Sequence, residues 1–134
     1  MADYTIRVTT SRPYDETVTA VRDQLAAAGF GVLTEIDLKA TLKAKLDVDV
    51  PPQVILGACR PELAHRALLA EPSIAALLPC NVVVRSVGDA ETVVEAFDPQ
   101  AMVGFAGDAG ETLAAVADDA RTRLTTALTA VAAG

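Results

Sequence analysis

Short stretches in which apolar and polar residues alternate, or apolar residues run together, predict five β-strands. Near the start, Ile6 and Val8 alternate with polar residues, which is the period-2 pattern of a half-buried strand. The run Val54–Ala58 is apolar throughout and lies between breakers, which indicates a strand covered on both faces and central in the sheet. The last two predicted strands are joined by a short connection and therefore form a hairpin. The predicted strands cover residues 4–10, 30–37, 54–58, 80–85 and 90–97.

Apolar residues between the strands repeat every three or four positions, which is the spacing of amphipathic helices. The first helix has Ser11 as its predicted N-cap and ends at Gly29. A short helix is expected after the second strand, where Asp37 is in position to cap it. In the long C-terminal helix, Asp108 and Glu111 stand at the spacing of a capping box. The other helical segments are predicted over residues 61–69, 73–78 and 98–102, and the C-terminal helix over about 109–132.

The order of these elements predicts the class of fold. It is βαβ, a short helix, then βαββ and a final helix, within a single domain of residues 1–134. Such an order suits an α+β two-layer sandwich, in which the helices pack on a mixed or mostly antiparallel sheet. If the helices occupy one layer, the other face of the Val-rich sheet needs a cover, which a second subunit would supply. We therefore expect a homodimer.

Composition and charge exclude several classes of partner. The formal net charge of -7 argues against nucleic acid, because binding to phosphates depends on Lys and Arg. The Ala-rich C-terminus contains Asp118 and Arg121, and such charges are costly in lipid, so no membrane association is expected. The first residues show no secretory signal. The expected compartment is the cytoplasm.

The familiar enzyme motifs are missing from the sequence. Residues 29–31 (GFG) lack the downstream glycine of a dinucleotide fingerprint and follow a helix rather than a strand. Neither a Walker phosphate loop nor a serine elbow occurs. The sequence therefore names no cofactor and favours a protein without catalytic activity.

Three segments in series resemble a known family. They are residues 31–41 (GVLTEIDLKAT), 55–59 (ILGAC) and 77–84 (LLPCNVVV). In order and spacing they are similar to the bacterial and archaeal family called domain of unknown function 302, over about residues 4–102. Arg60 departs from the family pattern, which has Asn before the proline. The resemblance implies a compact α+β fold, usually a dimer, with no agreed biochemical activity.

Cys59 and Cys80 are the main candidates for chemistry. Cys59 ends an apolar strand two residues before Pro61, where a helix begins, and a helix N-terminus stabilises a thiolate. Cys80 begins the next strand, so the two thiols come close if these strands are neighbours. Without an export signal, reduced thiols are expected rather than a structural disulfide. The alternative is that both thiols only fill space in the core.

Four further residues are candidates for binding. Cys59, His65 and Cys80 are the only plausible metal-binding set, although their spacing matches no standard zinc motif and a surface or packing position is favoured for His65. Glu35 and Lys39 lie near the end of the second strand, where they would hold a polar ligand or simply flank a helix cap. Asn81 would orient a ligand beside Cys80 or satisfy backbone groups.

These residues support three hypotheses of function. The first is a homodimeric module that binds a small ligand or a soft metal near Cys59 and Cys80. The second is a redox or sulfur-transfer enzyme in which Cys59 is the nucleophile and Cys80 the resolving thiol, which requires a lowered pKa at Cys59. The third is a structural or interaction module with inert cysteines.

Overall fold

A computed structural model of the chain describes residues 3–106 and 110–134. All five predicted strands are found there, together with the predicted helices. The strands are β1 Thr5–Thr10, β2 Gly31–Asp37, β3 Gln53–Cys59, β4 Cys80–Gly88 and β5 Glu91–Phe97. The helices are α1 Tyr14–Ala27, α2 Leu38–Leu46, α3 Pro61–Ala70, α4 Gln100–Ala106 and α5 Gly110–Ala133, with a 3₁₀ helix at Pro72–Leu77.

The strands form one sheet in the order β1-β5-β4-β3-β2, and every neighbouring pair is antiparallel. The predicted α+β sandwich and the β4–β5 hairpin are therefore confirmed. β3, expected to be central, has a partner on each side, although the middle strand of the sheet is β4. β1 and β2 are the two edges, and each is paired along one side only.

Two hydrophobic clusters hold the helices on the sheet. The larger lies where α1 and α5 pack over one face, and it contains Val21, Leu25, Phe30, Val54, Leu56, Ala58, Val82, Val84, Val94, Ala96, Leu124, Ala127, Leu128 and Val131. The smaller lies beyond one end of the sheet, and it contains Leu63, Ala67, Ile74, Met102, Leu113, Val116 and Ala120. Because α5 contributes to both clusters, it joins the sheet to the helices α3 and α4.

The predicted helix ends are partly confirmed. Asp37 Oδ1 accepts a hydrogen bond from the backbone N–H of Ala40 over 3.0 Å, so Asp37 does cap α2. Gly29 follows the end of α1 with φ +89°, a conformation that suits glycine. The prediction of Ser11 as the N-cap of α1 was wrong, because the helix begins at Tyr14 and Pro13 occupies the cap position without a side-chain hydrogen bond. The predicted cap at residue 108 lies outside the described residues.

The face of the sheet opposite α1 and α5 is divided into an apolar and a charged half. One cross-strand row runs Ile36–Ile55–Val83 and continues as Glu95–Arg7. Ile36 is 45% exposed, and Ile55 and Val83 are half-buried. The helix α2, next to β2, has no buried residue. This side of the molecule therefore presents apolar surface to solvent.

None of the helices within residues 3–106 and 110–134 has the length and apolar character needed to cross a membrane.

Candidate functional site

Cys59 and Cys80 lie at the same end of the sheet. Cys80 is the first residue of β4 and stands opposite Ala58, the neighbour of Cys59 on β3. The expected proximity of the two strands is therefore correct. Both cysteines are free thiols; Cys80 is buried and Cys59 is half-buried.

Both cysteines line one small apolar cavity between this end of the sheet and the helices α3 and α5. Its volume is about 30 Å³, room for roughly one or two water molecules. Besides the two cysteines, the lining residues are Phe30, Ala58, Arg60, Leu63, Ala64, Ala67, Leu78, Met102, Val116 and Ala120. The walls come from both hydrophobic clusters, so the cavity marks the place where the two clusters meet.

The environment of the thiols favours their protonated form. Burial, together with a smaller effect of the nearby Cys59 charge, raises the pKa of the Cys80 thiol from 9.0 to about 11. Burial also raises the pKa of Cys59. The hypothesis of a nucleophilic Cys59 requires a lowered pKa, and the position of Cys59 before a helix does not provide it here.

Arg60 brings a guanidinium group to the edge of this cavity. It occupies the N-cap position of α3, with Pro61 as the first helical residue. Its side chain is only 20% exposed, and its Nη1 donates to Glu62 Oε2 over 3.3 Å. Its Nε is buried and has no hydrogen-bond partner among the described residues. A buried donor without a partner is costly, so an acceptor placed beside this nitrogen would be stabilised.

Arg60 was not among the site residues predicted from the sequence. There, Arg60 was noted only as a departure from the pattern of the family. The available signal was the position itself, directly after Cys59 and before the proline that starts a helix.

The proposed metal set of Cys59, His65 and Cys80 is not assembled. Among the described residues, no group of three or more His, Cys, Asp or Glu side chains is placed to hold a metal ion. Leu63 and Ala67 are the buried residues of α3, and His65 lies midway between them in sequence. Each residue of a helix is rotated by 100° from the one before, so His65 lies about 200° around α3 from Leu63, on the exposed side.

The polar candidates near β2 do not join the thiols. Glu35 stands opposite Leu56 in the ladder and forms an ion pair with Arg22 of α1. Lys39 is exposed on α2, which begins after Asp37 opposite Val54. Leu56 is three residues and Val54 five residues before Cys59 on β3, so Glu35 lies roughly 10 Å and the start of α2 roughly 17 Å along the strand from the thiols.

Asn81 also faces away from the thiol cavity. It follows Cys80 directly, and successive residues of a strand point to opposite faces of the sheet. Asn81 is exposed and borders a shallow groove with Leu77, Pro79 and Phe97. Asn81 is therefore not among the residues that line the thiol cavity.

Comparison with known proteins supports the family resemblance. The family model for the domain of unknown function DUF302 matches residues 6–131, which include α5. The fold is similar to the crystal structure of an uncharacterized conserved DUF302 protein from Bacillus stearothermophilus, with 30% sequence identity and a TM-score of 0.85. The superposition covers 96% of this chain and 98% of that chain. No protein of curated function matches the sequence.

Proposed function

The chain belongs to the family called domain of unknown function 302, and we propose that it is a homodimeric module that binds a soft metal ion, or another small thiophilic ligand, between Cys59 and Cys80. The observation that supports this function is that both thiols line one apolar cavity. Thiolate sulfur is the ligand that Cu(I) and similar soft cations prefer. Two sulfur ligands are sufficient for Cu(I) or Ag(I), because these ions accept linear coordination.

The size of the cavity favours an ion over an organic molecule. A volume of about 30 Å³ accommodates a single metal ion without rearrangement. Pockets for drug-sized ligands are roughly ten times larger. The apolar walls also exclude the water and oxygen ligands that harder cations such as Mg²⁺ require.

Proton release belongs to the proposed binding step. The ligand form of cysteine is the thiolate, and the raised pKa values of Cys59 and Cys80 keep both thiols protonated near neutral pH. Each bound ion therefore displaces two protons into solvent. Only a cation with high intrinsic affinity for sulfur offsets the free energy of deprotonating both thiols, so the site discriminates strongly against hard metals.

Two features support the homodimer. The apolar half-row Ile36–Ile55–Val83 lies on the sheet face that α1 and α5 do not cover. The adjoining edge strand β2 exposes Leu33 to 65%, and edge strands offer unpaired backbone groups to a partner. A second copy related by two-fold symmetry would bury the same surface on both subunits.

The experiment that tests the binding function is native mass spectrometry during titration with Ag(I) under reducing conditions. We expect one Ag(I) per chain in the wild type, accompanied by the loss of two protons in the measured mass. Cys59→Ser and Cys80→Ser should each abolish stoichiometric binding, while circular dichroism confirms that the variants remain folded.

His65→Ala is the matched control, because His65 is exposed on the far side of α3. It should bind one Ag(I) like the wild type. Wild-type protein that takes up no ion, or a serine variant that keeps full stoichiometry, would rule out the thiol cavity as the binding site. The cysteines would then be inert core residues, as the structural hypothesis predicts.

A further inference from the structure

The cavity contains a cationic group that the two thiols do not need in their resting state. Both thiols are neutral when protonated, yet the Arg60 side chain borders them with only 20% of its surface exposed. Its Nε is buried and lacks a partner within the described part of the chain. Burying an unpaired donor of a charged group costs free energy, so an anionic acceptor beside Arg60 in the occupied state would lower that cost.

The ion pair that Nη1 of Arg60 forms does little to neutralise the charge of the guanidinium. Nη1 reaches Glu62 Oε2 at 3.3 Å, but the Glu62 side chain is 70% exposed. Such exposed ion pairs are weak and screened by salt. Nη1 also lies against Gly29, 3.3 Å from the position that a Cβ atom there would occupy. The guanidinium is therefore confined between α1 and α3, with Nε on its buried side.

The charge of the occupied site depends on the metal. When Cys59 and Cys80 bind a monovalent cation, two S–H bonds break, two S–metal bonds form and two protons leave to solvent. The resulting dithiolate complex has a net charge of -1. A divalent ion such as Hg(II), bound by the same two sulfurs in the same linear arrangement, gives a neutral complex. Zn(II) would also be neutral but needs two further ligands, and His65 does not supply one.

We propose that Arg60 is the counter-ion of the occupied site, so that the site selects a monovalent soft cation, bound as an anionic dithiolate, over divalent ions. This inference rests on the proposed binding function. A buried anionic complex is stable only if it is paired, and a guanidinium donor to a thiolate sulfur provides both charge and a hydrogen bond. Arg60 is a positioning residue in this scheme and does not ligate the metal.

The test compares Ag(I) with Hg(II), because both ions accept two sulfurs in a line while the charges of their complexes differ. Affinities are measured by competition with a small dithiol in wild type and Arg60→Gln. Loss of a charge-assisted hydrogen bond should weaken Ag(I) binding roughly 10- to 100-fold. Hg(II) binding should change by less than about threefold, because its complex has no charge to compensate. Arg60→Lys, which restores the charge, should recover at least part of the Ag(I) affinity.

Arg66→Gln is the matched control, since it removes the same charge from the exposed side of the same helix. It should leave the Ag(I)-to-Hg(II) affinity ratio unchanged. If Arg60→Gln does not fold, Glu62→Gln provides a second test of opposite sign. It releases Nη1 and removes a negative charge, so it should strengthen Ag(I) binding without strengthening Hg(II) binding.

The outcomes separate this inference from the function on which it rests. Equal losses for both metals in Arg60→Gln would mean that Arg60 only supports the fold. No loss for either metal would mean that its charge is irrelevant to the site. In both cases the thiol site stands and the counter-ion role is overturned. A wild-type protein that binds neither metal overturns both proposals.

Discussion

Cys80 stands directly opposite Ala58 in the β3–β4 ladder, one residue before Cys59 ends β3. Strict alternation would place Cys59 on the face opposite to Cys80. However, β3 ends at Cys59 and the chain turns through Arg60 into α3, so both cysteines line the same cavity. The cavity therefore depends on where the strand ends and on the register of one ladder. A slip by one residue would move Cys80 to the other face.

The raised pKa of Cys80 predicts a specific dependence of stability on pH. The folded pKa is about 11, whereas the ordinary value is 9.0. Above pH 9 the unfolded chain loses this proton while the folded chain keeps it, so stability falls as pH rises from about 9 to 11. The loss should be on the order of 2 to 3 kcal/mol. It is measured as the free energy of unfolding in urea at pH 7, 9, 10 and 11.

Cys80→Ala isolates this effect from other groups that titrate in the same range. The variant should be less stable than wild type at pH 7, because a buried side chain is truncated. The difference between the two proteins should shrink as pH rises to 11. A difference that stays constant from pH 7 to 11 would mean that the Cys80 thiol titrates normally in the folded protein.

Gly57 is predicted to be intolerant of any side chain. A Cβ atom there would overlap Thr34 Oγ1 and lie 2.8 Å from Cγ of Pro79. The exposed Thr34 side chain can rotate away, but the ring of Pro79 still blocks a side chain on the buried Gly57. Gly57→Ala should therefore destabilise the fold by about 1 to 3 kcal/mol, measured by urea denaturation.

Gly31→Ala is the control for backbone effects. Gly31 lies on β2, where an added Cβ would meet only the carbonyl oxygen of Cys59 at an ordinary 3.8 Å. Its stability should stay within about 0.5 kcal/mol of wild type. Combining Gly57→Ala with Thr34→Ala should recover part of the loss, and no recovery would mean that Thr34 does not cause it.

Much of the fold follows from local pattern. The apolar run at Val54–Ala58 and the alternation around Ile6 and Val8 identify strands without reference to any partner residue. The order of strands within the sheet does not follow in this way, because β1 pairs with β5 across most of the chain. Pairing at that separation depends on packing and loop geometry rather than on local sequence. The start of α1 was predicted too early because Ser11 and Pro13 are both plausible near a helix start.

The candidate site was harder to predict than the fold. The two cysteines were identified because strand ends and helix starts can be located from sequence. The directions of the His65 and Asn81 side chains could not be read from the sequence, because a rotation of 200° around a helix or one step along a strand reverses the side that a residue faces. The position of Arg60 beside Cys59 was visible in the sequence, but the burial of its Nε without a partner was not, so its interest was missed.

The contribution of Glu95 to the free energy of unfolding should decrease as the pH falls into the acidic range. Hydrogen bonds from Thr5 Oγ1 and from Arg85 Nη1, each 2.6 Å, lower the pKa of the Glu95 carboxyl group. Below pH 4.5 the unfolded chain takes up this proton before the folded chain does, so stability falls as pH decreases. Glu95→Gln should cost about 1 kcal/mol or more at pH 7 and less at pH 3, as measured by urea denaturation.

Glu91→Gln tests whether this dependence is specific to Glu95. Glu91 begins the same strand but is exposed. Its replacement should change stability by less than about 0.5 kcal/mol at either pH. If Glu95→Gln costs as much at pH 3 as at pH 7, the contribution of Glu95 comes from packing rather than from its charge.

The homodimer proposal predicts that a charge at Ile36 separates the subunits. Ile36 begins the apolar half-row on the uncovered face and is 45% exposed in the single chain. Ile36→Glu should weaken dimerisation at least tenfold, because a carboxylate buried at an apolar interface without a partner is costly. Sedimentation equilibrium over a range of protein concentrations measures the change. Leu69→Glu is the control, since Leu69 is even more exposed, at 73%, but lies on α3. Dissociation caused by Leu69→Glu and not by Ile36→Glu would move the interface from the sheet face to the helices.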